Sequence, residues 1–376
     1  MVTTRIGEGG VLRRCTRCLL PETQETITFD DQGVCSVCRQ SEVKQNIDWG
    51  QRKKDLDAII AKYRKNSPDY DAIVPYSGGK DSTFTAYYLY KEYGLRTLLV
   101  SYNHGFYTPT ANYNRSLITQ QISCNVESWG IQAKTQRKTM LEGLRRKGDF
   151  CWPCHVGIFT YPMRVAVERQ IPLIIWGEPS AEYTSYYSYD NPEQVDEKRF
   201  NRFVNLGISA DDMAGMIPNA TKRDKLALEA LRYPSLQSLR SIGYNSICLG
   251  SYIPWDTEKQ SEIIKRELGW LDFPAVPLPG KYSYEKIECR FQGVRDYLKF
   301  IKRGFGRTAH LASLDLRRGR ISEAQANGWS AQYDGYRPDC LDEFLHYVGI
   351  TEAEFNTIAA SHAVAPHVPL FTAEMK

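Results

Sequence analysis

Short apolar, β-branched runs recur along the first two thirds of the chain, each closing on polar residues or glycine. "DAIVPYS" (71–77), "RTLLVSYNHG" (96–105), "IQAKTQR" (131–137) and "PLIIWGEPSAEY" (172–183) read as buried strands. Helical stretches separate them. The first, "DSTFTAYYLYKEYG", carries Asp81, Ser82 and Thr83 near its start and Gly94 at its end, the usual punctuation of a helix. Strand and helix alternating in this way predict an α/β fold with a doubly wound parallel sheet, whose ligands bind at the carboxyl ends of the strands. Asn103, His104, Gly177 and Glu178 fall at such ends. A lone histidine is as readily a satisfied structural residue as a functional one, so position alone does not decide the role of His104.

Beyond residue 260 the period becomes helical, in "TEKQSEIIKREL", "YEKIECRFQGVRDYLKFIKRG" and "TEAEFNTIAASH", where Thr351 and Glu354 suit a capping box. The stretch "FPAVPLPGKYSY" (273–284) reads as a connector. Residues 185–220 lack a regular pattern and suit either a segment over the site or a surface loop. The tyrosines 183, 186, 187 and 189 suit local packing or the face of a sugar or uracil ring. Three units result: 1–48, 49–260 and a helical C-terminal region, 261–376.

With 376 residues, 42% of them hydrophobic, the chain has ample material for a core. The net charge of +4 permits an anionic substrate without the strong basic excess of a nucleic-acid polyelectrolyte. The basic groups Arg145-Arg146-Lys147, Lys302-Arg303 and Arg317-Arg318 with Arg320 are short; each reads as a solvated face or as phosphate contacts to a small ligand. No run reaches the length of a membrane helix, and Met1 to Arg5 lead into no signal-type segment, so a cytoplasmic protein is expected. In that reducing compartment ten cysteines are metal ligands or reactive thiols before they are disulfides.

The densest chemistry is "YSGGKDST" (76–83), between the first strand and its helix. Gly78 and Gly79 let backbone N–H groups approach an anion, and the helix behind them presents its unpaired N–H groups and positive dipole end to the same point. Ser77, Ser82 and Thr83 add hydroxyls, Lys80 a charge, and Asp81 a ligand for Mg2+ or a ribose hydroxyl. The string departs from the phosphoryl-transfer loop G-x-x-x-x-G-K-[ST]. It resembles the SGGxDS loop of the PP-loop ATP pyrophosphatases, of the adenine nucleotide alpha hydrolase type. That resemblance implies cleavage of ATP to AMP and pyrophosphate, with AMP transferred to a carbonyl oxygen.

The cysteines fall into two sets. Cys15-x2-Cys18 and Cys35-x2-Cys38, sixteen residues apart around a hairpin turned at Asp31-Gln32-Gly33, form the two knuckles of a structural Zn2+ ribbon. Cys151-Trp152-Pro153-Cys154, followed by His155, and the distant Cys248 supply three thiolates. Three suit a 4Fe-4S cubane with one iron open; zinc with His155 as fourth ligand, a redox dithiol and plain packing are the alternatives. The spacing is similar to that of PP-loop tRNA thiolases, in which such a set binds a 4Fe-4S cluster. Cys124, Cys289 and Cys340 have no partners in pattern and read as small buried residues.

Nearly the whole chain resembles the N-acetyl sugar amidotransferases of lipopolysaccharide O-antigen biosynthesis. The likeness is carried by "RCTRCLLPETQETITFDDQGVCSVCRQ", "YSGGKDSTFTAYYL", "CWPCHVGIF", "IIWGEPSAEY" and "KRGFGRTAHLASLDLRRGRISEAQA". It implies conversion of an acetamido group on a UDP-linked diacetamido uronic acid to an acetamidino group, with ammonia delivered by a separate glutaminase subunit through a cyclase-like barrel subunit. The roles expected are Ser77, Gly78, Gly79, Ser82 and Thr83 as phosphate cradle, Lys80 as electrostatic stabiliser, and Asp81 and Glu178 toward Mg2+ or ribose. Asn103, His104 and Gly177 are expected near the nucleotide. The alternative is tRNA 2-thiolation with a 4Fe-4S cluster. Against it, Cys289 and Cys340 lie too far apart for the second zinc finger that thiolases of this layout often carry.

Overall fold

The computed structural model describes residues 12–64, 67, 69–369 and 371. The expectations for Met1 to Arg5 and the start of the 1–48 unit lie outside the described residues.

Five parallel strands form one sheet: β1 (Ala72–Pro75), β2 (Thr97–Tyr102), β3 (Asn125–Trp129), β4 (Leu173–Trp176) and β5 (Asn245–Cys248), in the spatial order β3-β2-β1-β4-β5. In register, Ile73 lies opposite Leu98 on one side and Ile174 on the other. The chain winds outward from β1 to β3, then crosses to β4 and β5, so the order reverses between β1 and β4. A crevice opens outside the strand ends at such a point.

Alternate residues of the strands feed two cores, as the strand period demands. Ala72, Val74, Leu99 and Ile175 pack with Phe84 and Leu89 of the helix Lys80–Tyr93 and with Ile264 of the helix Thr257–Leu268. Ile73, Leu98, Val100 and Ile174 pack on Met163, Val165 and Ala166 of the helix Trp152–Arg169. Gly94, at φ +59, ends the helix after β1 in the left-handed region that glycine adopts without a Cβ clash.

Two expected elements shift. The strand expected over 131–137 is instead β3, a few residues earlier, and Ala133–Lys147 is helix. The long C-terminal helix expected from Tyr284 begins only at Gln292; residues 284–291 run irregularly toward the sheet. The helices Thr257–Leu268 and Glu352–Ser361 form as expected, and Thr351 Oγ1 accepts the Glu354 N–H at 3.1 Å.

The N-terminal cysteines are buried in a small core with Leu20, Val34 and Val37, closed by Phe305 from the far end of the chain. The helix Ser36–Gln45, which carries Cys38, sits on residues 182–190: Ser36 Oγ lies 2.7 Å from Ser185 Oγ, Gln40 accepts the Tyr189 N–H, and Lys44 pairs with Glu182. Residues 185–220 are therefore docked, with Tyr189, Val195 and Phe200 buried. Among the described residues no helix is long and apolar enough to cross a membrane.

Candidate functional site

The loop after β1 turns through Gly78, at φ +87, where an added Cβ would meet Arg115 Cγ at 2.7 Å and the Ala111 carbonyl at 3.0 Å. Ser77 and Ser82 close it: the Ser77 N–H donates to Ser82 Oγ at 3.2 Å, the Gly79 N–H to Ser77 Oγ at 3.2 Å, and Ser82 Oγ donates to the Gly79 carbonyl at 3.2 Å. Trp270 Nε1 donates to the Gly78 carbonyl at 3.0 Å, fixing the turn from behind. Thr83 is buried, 1% exposed.

Lys80 turns inward. Its Nζ lies 3.0 Å from Asp81 Oδ2 and 2.9 Å from Glu285 Oε1, and the side chain is 5% exposed. Burial alone would lower the ammonium, but Asp81, Glu285, Glu178 and Glu288 outweigh it and hold the charge firmly on. Glu285 is buried too, which pushes its carboxyl up, yet Lys80, Lys286 and Arg307 bring it down to about 2. Lys80 therefore orders the loop and Asp81 as much as it charges the cradle. Asp81 Oδ1 is buried without a hydrogen-bond partner. An orphaned carboxylate oxygen beside a glycine-rich loop is the donor that a magnesium ion on a bound nucleotide would use.

Glu178, after β4, has its carboxyl pushed up to about 8, first by burial and next by Asp81, with Lys80 opposing. Tyr183 Oη donates to it. Burial and the neighbouring Asp81 thus favour the protonated form of this carboxyl. Gly177 is required: a Cβ there would lie 2.9 Å from Thr85 Oγ1 and 3.1 Å from the Asp81 carbonyl.

His104 is 8% exposed, and burial with nearby Arg115 lowers its imidazole to about 4. Its Nδ1 accepts the Phe106 N–H at 3.1 Å, so the neutral ring carries its proton on Nε2. Asn103 Oδ1 accepts the Gly105 N–H at 2.9 Å and shapes the turn after β2.

A cavity of about 370 Å³ opens at the strand ends, lined by Ser77, Asp81, Ser82, His104 and Gly177 together with Cys151 and Cys154. Two of the three cysteines of the second set thus share a wall with the loop. Cys248 does not line it; fully buried at the end of β5, its Sγ donates to the Glu178 carbonyl at 3.7 Å and takes Arg199 Nη1 at 3.8 Å. Cys289, read from sequence as inert, stands on the cavity wall instead. Burial raises all of these thiols, Cys289 to about 11, so each would have to lose a proton to bind metal. His155 also lines the cavity.

The first cysteine set converges fully. Cys15 Sγ lies 3.7 Å from Cys38 Sγ, Cys18 Sγ lies 3.6 Å from Cys35 Sγ, and the four ligand atoms fall within 4.8 Å of one another. N–H groups of Arg17 and Cys35 donate to Cys15 Sγ, and that of Cys38 to Cys35 Sγ. Four buried thiols with backbone donors on their sulfurs fit one zinc ion. Among the described residues no other set of three or more Cys, His, Asp or Glu side chains comes this close.

Several neighbours of the loop carried no motif. Glu288 reaches over Gly79, where a Cβ would come within 1.8 Å of its Oε1, and Ser77 Oγ donates to the same oxygen at 3.4 Å. Arg115 Nη1 donates to Ser101 Oγ at 2.5 Å, its guanidinium 4.4 Å from the Tyr107 ring centroid. The tyrosines of 183–189 are engaged in packing: Tyr183 stacks on His310 at 4.9 Å and Tyr186 on Phe203 at 3.7 Å. Arg318 and Arg320, read from sequence as a solvated face or as phosphate contacts, are partly buried in ion pairs with Glu182, Asp256 and Glu258.

Residues 281–367 match a family described as "LPS biosynthesis protein WbpG-like, C-terminal domain". Among solved structures, the chain is similar to an NAD+ synthetase from Burkholderia pseudomallei, at 16% identity and a TM-score of 0.23 over 64% of this chain and 88% of that one. A comparison with curated proteins gave no match.

Proposed function

We propose that the protein is an ATP-dependent, AMP-forming amidotransferase of lipopolysaccharide O-antigen biosynthesis, acting on an acetamido group of a UDP-linked diacetamido uronic acid. The observation that carries this reading is that the segment matched to the lipopolysaccharide family builds the nucleotide-loop site: Glu285 holds Lys80, and Glu288 covers Gly79.

In this reading the amide oxygen attacks the α-phosphorus of ATP and pyrophosphate leaves. Ammonia then adds to the activated carbon, and AMP departs with the former amide oxygen. Ser77, Gly78, Gly79 and Ser82 hold the departing pyrophosphate with N–H and O–H donors. Asp81, ordered by Lys80, would hold magnesium, which screens phosphate charge. Glu178, whose carboxyl burial and Asp81 push up, would exchange a proton with the acceptor in this reading. Ammonia comes from a glutaminase partner through a cyclase-like subunit.

The test is to incubate the chain with ATP, magnesium, ammonium and the sugar nucleotide. A product about one mass unit lighter, oxygen exchanged for NH, is expected. Turnover with tRNA and a sulfur donor, and none with the sugar, would put tRNA 2-thiolation in its place.

A further inference from the structure

A second cavity, of about 280 Å³, lies behind the first and shares Lys286 and Arg295 with it. Six cationic and three carboxylate side chains line it. Two of the carboxylates are taken: Arg307 holds Asp296 at 2.7 Å, and Arg303 holds Glu25 at 2.6 Å. The third, Asp149, accepts the Cys151 N–H at 2.7 Å. Among the described residues Lys286, Arg295, Lys299 and Lys302 form no ion pair with a carboxylate; Lys302 Nζ donates to the Gly148 carbonyl at 2.8 Å, and Lys299 Nζ lies over the Phe305 ring, 4.1 Å from its centroid.

Cations outnumber carboxylates on this lining, and a fold tolerates such an arrangement where an anion relieves it. Burial, then Arg307, brings the Lys299 ammonium down to about 7, with Asp296 and Asp334 opposing only in part. A separate observation points the same way. His310 lines this cavity, and its Nδ1 is buried with no hydrogen-bond partner. Its ring stacks on Tyr183, which donates to Glu178, so one chain of contacts runs from this cavity to the end of β4. Lys286, at the junction, holds φ at +47, a backbone that lysine rarely adopts.

We propose that this cavity seats the diphosphate of a nucleotide-linked acceptor, with Lys299 and Lys302 as its principal contacts and Lys286 and Arg295 where the acceptor passes into the ATP cavity. The inference rests on the amidotransferase reading, which requires an acceptor entering beside ATP. The cavity is too small for a whole nucleotide sugar but sufficient for its diphosphate. The shared wall at Lys286 and Arg295 lets the sugar extend toward Asp81. Removing one lysine costs about tenfold in affinity, the worth of a charge-assisted hydrogen bond.

The experiment is calorimetric titration of UDP into the full chain, with a non-hydrolysable ATP analogue present so that the nucleotide loop is filled. Wild type, Lys299→Gln, Lys302→Gln and the loop variant Ser82→Ala are compared. UDP binding weakened about tenfold by either lysine substitution and unchanged in S82A is expected. In steady state the same lysine variants should raise KM for the sugar nucleotide while KM for ATP holds. Thermal unfolding of each variant against wild type separates lost binding from lost fold. UDP binding indifferent to both lysines, in a chain that still turns over the sugar nucleotide, overturns the cavity assignment alone. Wild type that neither binds UDP nor uses the sugar nucleotide overturns the assignment together with the amidotransferase reading.

Discussion

Lys80 Nζ lies 2.9 Å from Glu285 Oε1, and the two side chains are 5% and 3% exposed. A residue of the nucleotide loop is thus tied to the family-matched C-terminal segment by a buried ion pair. Removing Glu285 leaves Lys80 with Asp81 alone, at a cost of about 3 kcal/mol, the lower end of the range for breaking a buried pair. Glu285→Ala should lower stability on that scale in urea unfolding, while the double variant Lys80→Met, Glu285→Leu should recover much of the loss. Equal destabilisation by the single and double variants would show that the two residues do not act as a pair.

Gly79 faces the flexible end of Glu288, so Gly79→Ala should be accommodated by movement of that side chain and should fold. It should lose ATP binding, because the Cβ narrows the cradle where an anion approaches the backbone. Gly79→Ala, Glu288→Ala relieves the contact with Glu288 and not that narrowing. Full ATP affinity in the double variant, by equilibrium dialysis, would assign the loss to displaced Glu288 instead.

The pH dependence follows from Glu178. Its carboxyl titrates near 8 in the fold and near 4.3 in the unfolded chain, so between those values the folded state binds the extra proton. Stability therefore falls as pH rises from about 5 toward 8. Glu178→Gln, which keeps the shape without the titration, should flatten that decline in thermal melts recorded across the range. An unchanged slope would mean that the group titrates at its ordinary value.

The four-thiol centre should carry one zinc ion per chain by elemental analysis. Chelation, or Cys18→Ser, should release it and lower the melting temperature. The ribbon also braces residues 182–190 through Ser36, Gln40 and Lys44, so proteolysis within that segment should quicken on zinc loss. Cleavage there that ignores chelation would separate the ribbon from the segment.

What could be read in the chain without coordinates was whatever repeats locally. β1, β2 and β4 are continuous apolar runs buried on both faces, and the glycine loop and the four-thiol knuckles are spaced by local geometry alone. β3 was misplaced because it is an edge strand whose exposed and half-buried residues, "NVESW", carry no apolar run. β5 showed only as the context of Cys248. Treating the C-terminal region as a separate helical unit hid its part in the site, since Glu285, Lys286, Glu288 and Arg295 reach the loop and its cavity by tertiary folding that no spacing announces. Cys289, which carries no spacing signal, lines the cavity with Cys151 and Cys154.

In the proposed reaction AMP is transferred to an acetamido oxygen of the acceptor, and the fate of that oxygen decides whether it is. The acceptor is prepared with a heavy-oxygen label in its acetamido carbonyl and turned over with ATP and ammonium. The account requires the label to appear in the phosphate of AMP, one atom for each acetamidino group formed. AMP without label would contradict it, because the bond to the α-phosphorus would then have been made by another nucleophile.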